Sequence, residues 1–461
     1  MTIEQIYTGC LSQGAYYIES EGEIAIIDPL RETKPYLERI KRDKGVLKYI
    51  FETHFHADFV SGHFTLSEKT GAPIVYGPNA NPSFDAIIAK DGEVFSVGKI
   101  TITALHTPGH TMESTTYLLK DENGKEHAIF SGDTLFLGDV GRPDLAQKGE
   151  ELTQEDLAGM LYESLRTKIM TLPDDVIVYP AHGAGSACGK NMSKETVDSL
   201  GNQKKFNYAL RANMTREEFI TEVTEGLLPP PSYFPLNVKM NREGYASIDE
   251  VLNQGTQPLK AEAFEKLADS TGAIILDVRH QSEFIKEHIP RSIFIGIDGG
   301  FAPWVGALIA DTEQPILLVV PEDRQVETVT RLSRVGFDKT LGYLEGGLKA
   351  WTDAGKTTDN LESVSAETLK EKLNQSVPVF DIRKDGEFAT SRIPVAKHTP
   401  LSEINIYIDT YPSTEPFYLY CAGGYRSVIA ASILKSRGIH NVIDVAGGFK
   451  EIKEAGIEVV S

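Results

Sequence analysis

Cysteine is scarce in this sequence, which has three cysteines in 461 residues: Cys10, Cys188 and Cys421. They are far apart and odd in number, which excludes a disulfide framework and indicates a reducing compartment. The amino terminus has no basic segment followed by an apolar core, and no apolar run approaches the roughly 20 residues that span a bilayer. We therefore expect a cytoplasmic protein without a membrane-spanning segment.

Positively charged residues are also few. The sequence has 46 Lys and Arg but 66 Asp and Glu, which gives a net charge of −20. This balance excludes nucleic acid as a partner, since phosphate binding needs a basic face. It is compatible with a small anionic substrate in a locally positive pocket. The length suggests about three domains of ~150 residues each.

What the sequence does have is a group of metal-ligand residue types placed after apolar runs. The run 47–51 reads as a buried strand, and His54, His56 and Asp58 follow it directly. Buried imidazoles and carboxylates need partners, and both groups are common metal ligands. This stretch therefore predicts a metal site.

Three further ligand-type residues follow later apolar runs in the same way. They are His110 in TPGH, Asp133 in SGDTLF and His182 in PAHG. A sheet that gathers its strand ends at one edge would bring all of these groups together. The four motifs in this order resemble the metallo-β-lactamase fold, which implies an αββα sandwich over residues 1–240.

The second half of the sequence contains an internal repeat of about 100 residues. Residues 274–279 are echoed by residues 379–383, and Gly346-Gly347 by Gly447-Gly448. Apolar strands alternate with amphipathic helices in both copies, which predicts two parallel α/β domains, over residues 241–358 and 359–461. The proline-rich stretch 229–235 is predicted to be a stiff linker before them.

The second copy carries a candidate nucleophile. Cys421 lies between a predicted strand and a predicted helix, where loop N–H groups, the helix dipole and Arg426 favour the thiolate. A strand–CxxxxR–helix pattern is compatible with a phosphatase or a sulfurtransferase. The flanking motifs resemble the rhodanese family, which implies a persulfide on Cys421 and an anionic donor bound by Arg426 and the loop residues Gly423, Gly424 and Tyr425.

The first copy departs from this pattern. It has Pro321 where the second has Cys421, and Val326 where the second has Arg426. We predict that this copy does not catalyse and serves as a spacer or docking module.

Metallo-β-lactamase folds include dinuclear zinc hydrolases and mononuclear iron oxygenases. The dinuclear pattern is HxHxDH, and this sequence has Phe59 in the last place, which favours a single metal. We expect one Fe(II) per chain, with Zn as the alternative, and the expected ligands are His54, His110 and Asp133. The groups expected to orient ligands or contact substrate are His56, Asp58 and His182.

The whole chain resembles the persulfide dioxygenase–rhodanese fusions of bacterial sulfide detoxification. The resemblance implies that a low-molecular-weight thiol persulfide is oxidised by O₂ to sulfite, and that Cys421 passes sulfur to sulfite to give thiosulfate. By the same resemblance, Arg142 would bind a carboxylate of the thiol carrier. Cys188, on a Gly-rich loop after His182, is a further candidate sulfur acceptor. A homo-oligomer is expected.

Two other functions compete with this interpretation. One is a zinc thioester hydrolase of the glyoxalase II type fused to a rhodanese, against which Phe59 counts. The other is a sulfur-relay scaffold with a non-catalytic amino-terminal domain, against which the intact set of His54, His110 and Asp133 counts.

Overall fold

The structure is a computed structural model that describes residues 1–147, 151–227 and 229–461. The chain divides into two compact units. The first comprises Met1–Ile248 with Ser333–Gly336, and the second Asp249–Leu332 with Phe337–Ser461. Within the described ranges, no helix has both the length and the apolar character that crossing a membrane requires.

The first unit contains two six-stranded sheets. The strands of the first sheet, in spatial order, are β1 Thr2–Thr8, β2 Gln13–Ser20, β3 Glu23–Ile27, β4 Val46–Phe51, β5 Ile74–Tyr76 and β6 Ile87–Ile88. Those of the second sheet are β7 Val94–Val97, β8 Ile100–His106, β9 Thr115–Lys120, β10 Glu126–Gly132, β11 Ile177–Pro180 and β12 Asp198–Ser199, in the spatial order β12-β11-β10-β9-β8-β7.

These two sheets pack face to face over an apolar core. Ile27 and Phe51 of the first sheet share a buried cluster with Ile102, Tyr117 and Phe130 of the second. Burial of each such side chain contributes roughly 1.5–3 kcal/mol. The strands that carry the site residues are therefore held in fixed positions.

Helices cover the outer faces of both sheets. They are α1 Lys34–Asp43, α2 His63–Thr70, α3 Gln154–Ser164, α4 Leu200–Phe206, α5 Arg216–Thr224 and α6 Phe234–Glu243. Tyr36 and Leu66 pack on the first sheet, whereas Leu161 and Phe219 pack on the second. The predicted αββα sandwich is thus confirmed, and a capping box formed by Thr215 and Glu218 opens α5.

The prediction of a stiff linker over residues 229–235 is wrong at its carboxyl end. Tyr233 and Phe234 are buried, and α6 begins at Phe234 with proline in its first turn. Proline at this position is favourable, because the N–H that it lacks has no partner in the first turn anyway. Asn241 of this helix donates to the carbonyl oxygens of His56 and Phe59, both at 2.8 Å. The helix therefore supports the loop over residues 54–59, here called the ligand loop because it carries the predicted ligand His54.

The second unit contains two five-stranded parallel sheets. The strands of the first are β13 Pro258–Leu259, β14 Ile274–Asp277, β15 Ile293–Phe294, β16 Ile316–Val319 and β17 Thr340–Leu344, in the spatial order β13-β17-β16-β14-β15. Those of the second are β18 Ser363–Val364, β19 Val379–Asp381, β20 Lys397–His398, β21 Phe417–Tyr420 and β22 Val442–Val445, in the spatial order β18-β22-β21-β19-β20. The two orders are equivalent, which confirms the internal repeat and the parallel α/β prediction.

Helices connect the strands of both repeats. In and before the first they are α7 Ile248–Gly255, α8 Ala261–Thr271, α9 Gln281–Lys286, α10 Phe301–Leu308, α11 Gln325–Ser333 and α12 Gly347–Asp353. In the second they are α13 Ala366–Leu373, α14 Asp385–Thr390, α15 Ile404–Tyr407, α16 Tyr425–Ser436 and α17 Gly448–Glu454.

Candidate functional site

Four strand ends of the first unit deliver the predicted ligand residues. His54 follows β4, His110 follows β8, Asp133 follows β10 and His182 follows β11. All four side chains are buried. Sheet pairing fixes each strand, so the positions of these side chains are set by the fold.

Three of these side chains converge on one point. Oδ2 of Asp133 lies 3.9 Å from Nε2 of His54 and 3.4 Å from Nε2 of His110. Neither carboxylate oxygen of Asp133 accepts a hydrogen bond from the part of the chain that the structure describes. Such a buried carboxylate is costly unless a cation compensates it. The donor set therefore fits a divalent metal bound by two imidazoles and one carboxylate.

Hydrogen bonds set the tautomer of His54. The hydroxyl of Thr53 donates to Oδ2 of Asp28 at 2.9 Å, which uses its only proton. The 3.0 Å contact between this hydroxyl and Nδ1 of His54 therefore has Nδ1–H as the donor. Nε2 of His54 keeps its lone pair on the side of Asp133, as a metal ligand requires.

A backbone carbonyl sets the tautomer of His110. Nδ1 of His110 lies 2.8 Å from the carbonyl oxygen of Arg142, which only accepts, so Nδ1–H donates. Burial, together with the nearby imidazoles of His56 and His110, holds the pKa of His54 well below its ordinary value. His54 is therefore neutral, which is the form of histidine that binds metal.

His56 differs from these two histidines, because its Nε2 lies 3.1 Å from Oδ1 of Asp28 and 3.6 Å from Oε2 of Glu52. Burial opposes a charge on this ring, but the two carboxylates outweigh burial and raise the pKa of His56 to about 9. The ring of Phe59 packs on it, with the ring centroids 4.3 Å apart. Phe59 thus puts an apolar ring at the position where the dinuclear pattern has a histidine.

A second group of buried ligand-type residues lies beside Asp133. Nε2 of His182 is 3.4 Å from Oδ2 of Asp58 and 3.6 Å from Oδ1 of Asp133. The thiol of Cys188 approaches Asp133 and His182 within 4.8 Å. Burial, followed by the charges of Asp58 and Asp133, raises the pKa of Cys188. The structure thus brings Cys188 to the same site.

The guanidinium of Arg142 is already engaged. It makes a two-pronged ion pair with Asp144, at 2.6 and 2.7 Å, and its Nη1 lies 3.3 Å from the carbonyl oxygen of Ala187. Its backbone N–H donates to the carbonyl oxygen of Cys188. Arg142 therefore contacts the loop of Cys188 through its backbone N–H and its side chain, while its own carbonyl oxygen accepts the hydrogen bond from His110. Its predicted contact with a substrate carboxylate stays a prediction.

Sequence reasoning missed Tyr233 at this site. Its phenol is buried, and the charges of Asp58 and Cys188 add to burial in raising its pKa. The adjacent aromatic pair Tyr233-Phe234 before Pro235 was the available signal, because it indicates a buried helix start rather than an exposed linker.

The second unit holds the predicted nucleophile. Cys421 follows β21 and is buried, and the N–H of Gly424 points at its Sγ at 3.1 Å. Gly424 has φ +88°, a conformation that side chains rarely adopt, and α16 begins directly after it. Oγ of Ser427 lies 3.5 Å from the same sulfur. The loop thus directs the backbone N–H of Gly424 to the thiol.

Arg426 is the fixed cation beside this thiol. Its two terminal nitrogens contact the carboxylate of Glu387 at 2.7 and 2.8 Å, and this pair lowers the pKa of Glu387 to about 2. The cavity at the thiol, of about 530 Å³, is lined by Gly300, Trp304, Lys384, Glu387, Cys421, Gly423, Tyr425 and Arg426. Sequence reasoning missed Trp304, Lys384 and Glu387, because they come from distant segments.

The corresponding loop of the first repeat has no thiol. Arg324 of this loop pairs with Asp298 at 2.6 Å and with Glu327 at 2.9 Å. Two carboxylates thus compensate the charge of Arg324 in the loop that corresponds to the Cys421 loop of the second repeat.

Comparison with known proteins identifies both halves of the chain. The Metallo-beta-lactamase superfamily matches residues 8–182, and the Rhodanese-like domain family matches residues 260–354 and 365–455. The human mitochondrial persulfide dioxygenase ETHE1 is 30% identical over 221 residues, which are 48% of this chain and 78% of that protein.

A probable hydroxyacylglutathione hydrolase of Schizosaccharomyces pombe is 27% identical over 219 residues, 46% of this chain and 80% of its own length. The crystal structure of a metallo-beta-lactamase from Staphylococcus aureus subsp. aureus COL is 29% identical, covers 75% of this chain and 98% of its own, and has a TM-score of 0.65. The chain therefore belongs to the metallo-beta-lactamase superfamily, with a first domain related to persulfide dioxygenase ETHE1 and two rhodanese-like domains after it.

Proposed function

We propose that this protein is a bifunctional persulfide dioxygenase and sulfurtransferase. The first unit oxidises a low-molecular-weight thiol persulfide with O₂ to sulfite, and Cys421 transfers sulfane sulfur to sulfite to give thiosulfate. The observation that carries the proposal is the convergence of the buried side chains of His54, His110 and Asp133 in a chain that also holds Cys421 in a rhodanese-type loop.

We propose three functional segments within this chain. They are a dioxygenase domain over residues 1–240, a non-catalytic rhodanese-like domain over residues 241–358 and a sulfurtransferase domain over residues 359–461. The protein is proposed to act in the cytoplasm as a homo-oligomer, and light scattering of the purified protein tests the oligomeric state.

His54, His110 and Asp133 would hold one ferrous ion. Two imidazoles and one carboxylate leave open positions on such a metal, which supplies the binding and activation of O₂ next to the substrate. Overall, one persulfide, one O₂ and one water give one thiol, one sulfite and two protons. Four electrons pass from the outer sulfur to oxygen, so no further reductant is required.

The surrounding residues have supporting roles in this proposal. Thr53 holds His54, and the carbonyl of Arg142 holds His110, in the tautomer whose Nε2 is unprotonated and free to bind the metal. His56, engaged by Asp28, and Asp58 orient the ligand loop, and His182 faces the substrate. Cys188, buried beside Asp133, is proposed as an auxiliary sulfur acceptor.

At Cys421 the transfer takes place in two steps. The thiolate attacks the outer sulfur of a persulfide, the S–S bond of the donor breaks, and the carrier thiolate leaves and takes up a proton. The sulfur lone pair of sulfite then attacks the outer sulfur on Cys421. Thiosulfate departs and the thiolate is regenerated, with the N–H of Gly424 stabilising the charge on sulfur.

A glyoxalase II-like zinc hydrolase is the second candidate, and similarity to the S. pombe hydrolase favours it. Phe59 counts against it, because the second metal of such an enzyme would lose a ligand. Metal analysis of anaerobically purified protein, with O₂ uptake on glutathione persulfide and coenzyme A persulfide, separates the two. Iron with O₂ uptake supports the dioxygenase, whereas zinc with thioester cleavage and no O₂ uptake refutes it.

The two proposed activities are separable by matched variants. Asp133→Ala should abolish O₂ uptake while sulfur loading of Cys421 persists. Cys421→Ser should keep O₂ uptake and release sulfite without thiosulfate. Cys10→Ser is the control, because Cys10 belongs to neither ligand group and is expected to leave both activities unchanged.

A further inference from the structure

The cavity at Cys421 has walls from both repeats, which lie in the same compact unit. Gly300 and Trp304, at the start of α10, come from the repeat that has no thiol. Trp304 is half-buried. Within the described residues, its indole N–H makes no hydrogen bond with protein. The thiol-less repeat thus contributes an aromatic side chain to the wall of the cavity.

Several contacts hold the two repeats in this arrangement. The hydroxyl of Tyr425 donates to the carbonyl oxygen of Gly296 at 2.8 Å, and the N–H of Phe294 donates to Oγ of Ser432 at 2.9 Å. A Cβ on Gly299 would lie 2.3 Å from the ring of Tyr425, so glycine there admits this ring. Tyr425, a neighbour of the loop thiol, is therefore anchored in the other repeat.

The size of the cavity bears on the sulfur donor. The cleft is open to solvent and has a volume of about 530 Å³, which leaves room for an organic body beside the sulfur atoms of a donor. The charges in the wall are also informative. Glu387 compensates Arg426, which leaves the exposed Lys384 as an additional positive charge on the lining. The cavity therefore suits an anionic molecule that has an organic body beyond its sulfur atoms.

We propose that Trp304 of the thiol-less repeat is a specificity residue of the Cys421 site, which contacts the organic body of an anionic low-molecular-weight thiol persulfide. The proposal rests on the sulfurtransferase function proposed above and deepens it. It gives the first repeat a role in the pocket in addition to that of a spacer. The covalent steps at Cys421 are the two already written, since Trp304 touches the carrier and not the transferred sulfur.

The test compares two sulfur donors on the full-length protein. Anaerobic conditions prevent the dioxygenase reaction, because that reaction requires O₂. The variants are Trp304→Ala, the conservative Trp304→Phe, and Val326→Ala as a control on an exposed residue of the same repeat outside the cavity. Sulfur transfer to sulfite is followed with glutathione persulfide. Transfer from thiosulfate to cyanide is followed in parallel.

Trp304→Ala should raise the KM for glutathione persulfide about 5- to 10-fold, the size of effect expected on losing one aromatic contact. The KM for thiosulfate should stay within about twofold, Trp304→Phe should recover most of the loss, and Val326→Ala should match the wild type. Equal effects of Trp304→Ala on both donors, or no effect on either, would overturn the proposal.

Fluorescence gives a second readout, because the chain has two tryptophans and the other, Trp351, is buried in the core of the first repeat. Addition of glutathione persulfide should change the emission of the wild type, because the carrier contacts Trp304, and Trp304→Phe should remove the change while mass spectrometry still finds the added sulfur on Cys421. If Cys421 of the wild type takes up no sulfur, the proposed sulfurtransferase function fails. If it loads and transfers sulfur without donor selectivity from Trp304, the inference on Trp304 alone fails.

Discussion

The hydroxyl of Thr53 lies 3.0 Å from Nδ1 of His54 and fixes the tautomer of that imidazole, because the hydroxyl donates its own proton to Asp28. Thr53→Val keeps the shape of the side chain but removes the hydroxyl. We expect it to weaken iron binding about 10- to 100-fold, the usual cost of losing a partner that orients a ligand. Iron retained per chain after dialysis against graded chelator measures this.

Thr53→Ser is the matched variant, since it keeps the hydroxyl and should bind iron nearly as the wild type does. Equal iron retention in Thr53→Val and Thr53→Ser would show that this contact does not orient His54.

Phe59 is predicted to limit the site to a single metal. Phe59→His restores the missing ligand beside Asp58 and His182 and keeps a flat ring against His56. We expect zinc binding to rise from one to two ions per chain and O₂ uptake to fall at least about tenfold, because the second ion occupies the substrate side. Metal analysis after zinc loading provides the measurement. Phe59→Leu, which adds no ligand, should stay at one ion, and two ions there would contradict the role given to Phe59.

The sequence predicts those parts of this protein that depend on local patterns. Strand ends followed by His54, His110 and Asp133 predicted the sheet edge at which these three buried side chains converge, because each strand end follows an apolar run. The repeat predicted two like domains, and their strand orders are equivalent. In both copies the Asp-x-Arg motif closes a buried ion pair, between Asp277 and Arg279 in the first and between Asp381 and Arg383 in the second.

Features that depend on packing between distant segments could not be predicted from the sequence. Trp304 is more than 100 residues from Cys421, and no spacing in the sequence joins them. The pair of Arg142 with Asp144 shows a different limit. The two residues are close in sequence, but only the folded loop decides whether the guanidinium faces solvent or a carboxylate.

Arg142 provides a test between a substrate contact and a loop support. Its guanidinium is held by Asp144 and Ala187, so Arg142→Ala should loosen the loop that carries Cys188. We expect iron retention to fall several-fold, and Asp144→Ala to have the same effect, because each removes one side of the ion pair. If Arg142→Ala instead raises the KM for glutathione persulfide while Asp144→Ala does not, Arg142 binds the carrier directly. Steady-state O₂ uptake and metal analysis distinguish these results.

Glu387 compensates the charge of Arg426 at the thiol cavity. Glu387→Gln removes a negative charge near an anionic donor, so the KM for thiosulfate should fall about two- to fivefold at low ionic strength. The difference from wild type should shrink in 0.5 M salt (on the order of a 4 Å screening length), because exposed charges are screened there. Steady-state transfer from thiosulfate to cyanide at two salt concentrations is the measurement. Glu403→Gln, outside the cavity, is the control, and an equal KM in Glu387→Gln and wild type would contradict the argument.

Asp444, on β22 behind the thiol loop, makes stability depend on pH. Burial raises its pKa from 3.8 to about 6, although its Oδ2 accepts a hydrogen bond from Ser363 at 2.8 Å. The folded chain thus binds the proton more tightly than the unfolded chain, and the stability present below pH 3.8 is lost as pH rises through about 6. Above that, ionised Asp444 costs up to about 3 kcal/mol, at 1.36 kcal/mol per pKa unit.

Asp444→Asn removes this penalty because the amide oxygen still accepts from Ser363 and carries no charge. We expect the midpoint of thermal unfolding of the carboxyl-terminal repeat to rise at pH 8 and to rise only about a third as much at pH 4.5, where most of the penalty has not yet developed. Glu458→Gln, which alters an exposed carboxylate of the same repeat, should shift neither midpoint. A gain from Asp444→Asn that is the same at both pH values would mean that ionisation of Asp444 is not its source. The gain would then come from packing or hydrogen bonding, which do not change with the charge of this group.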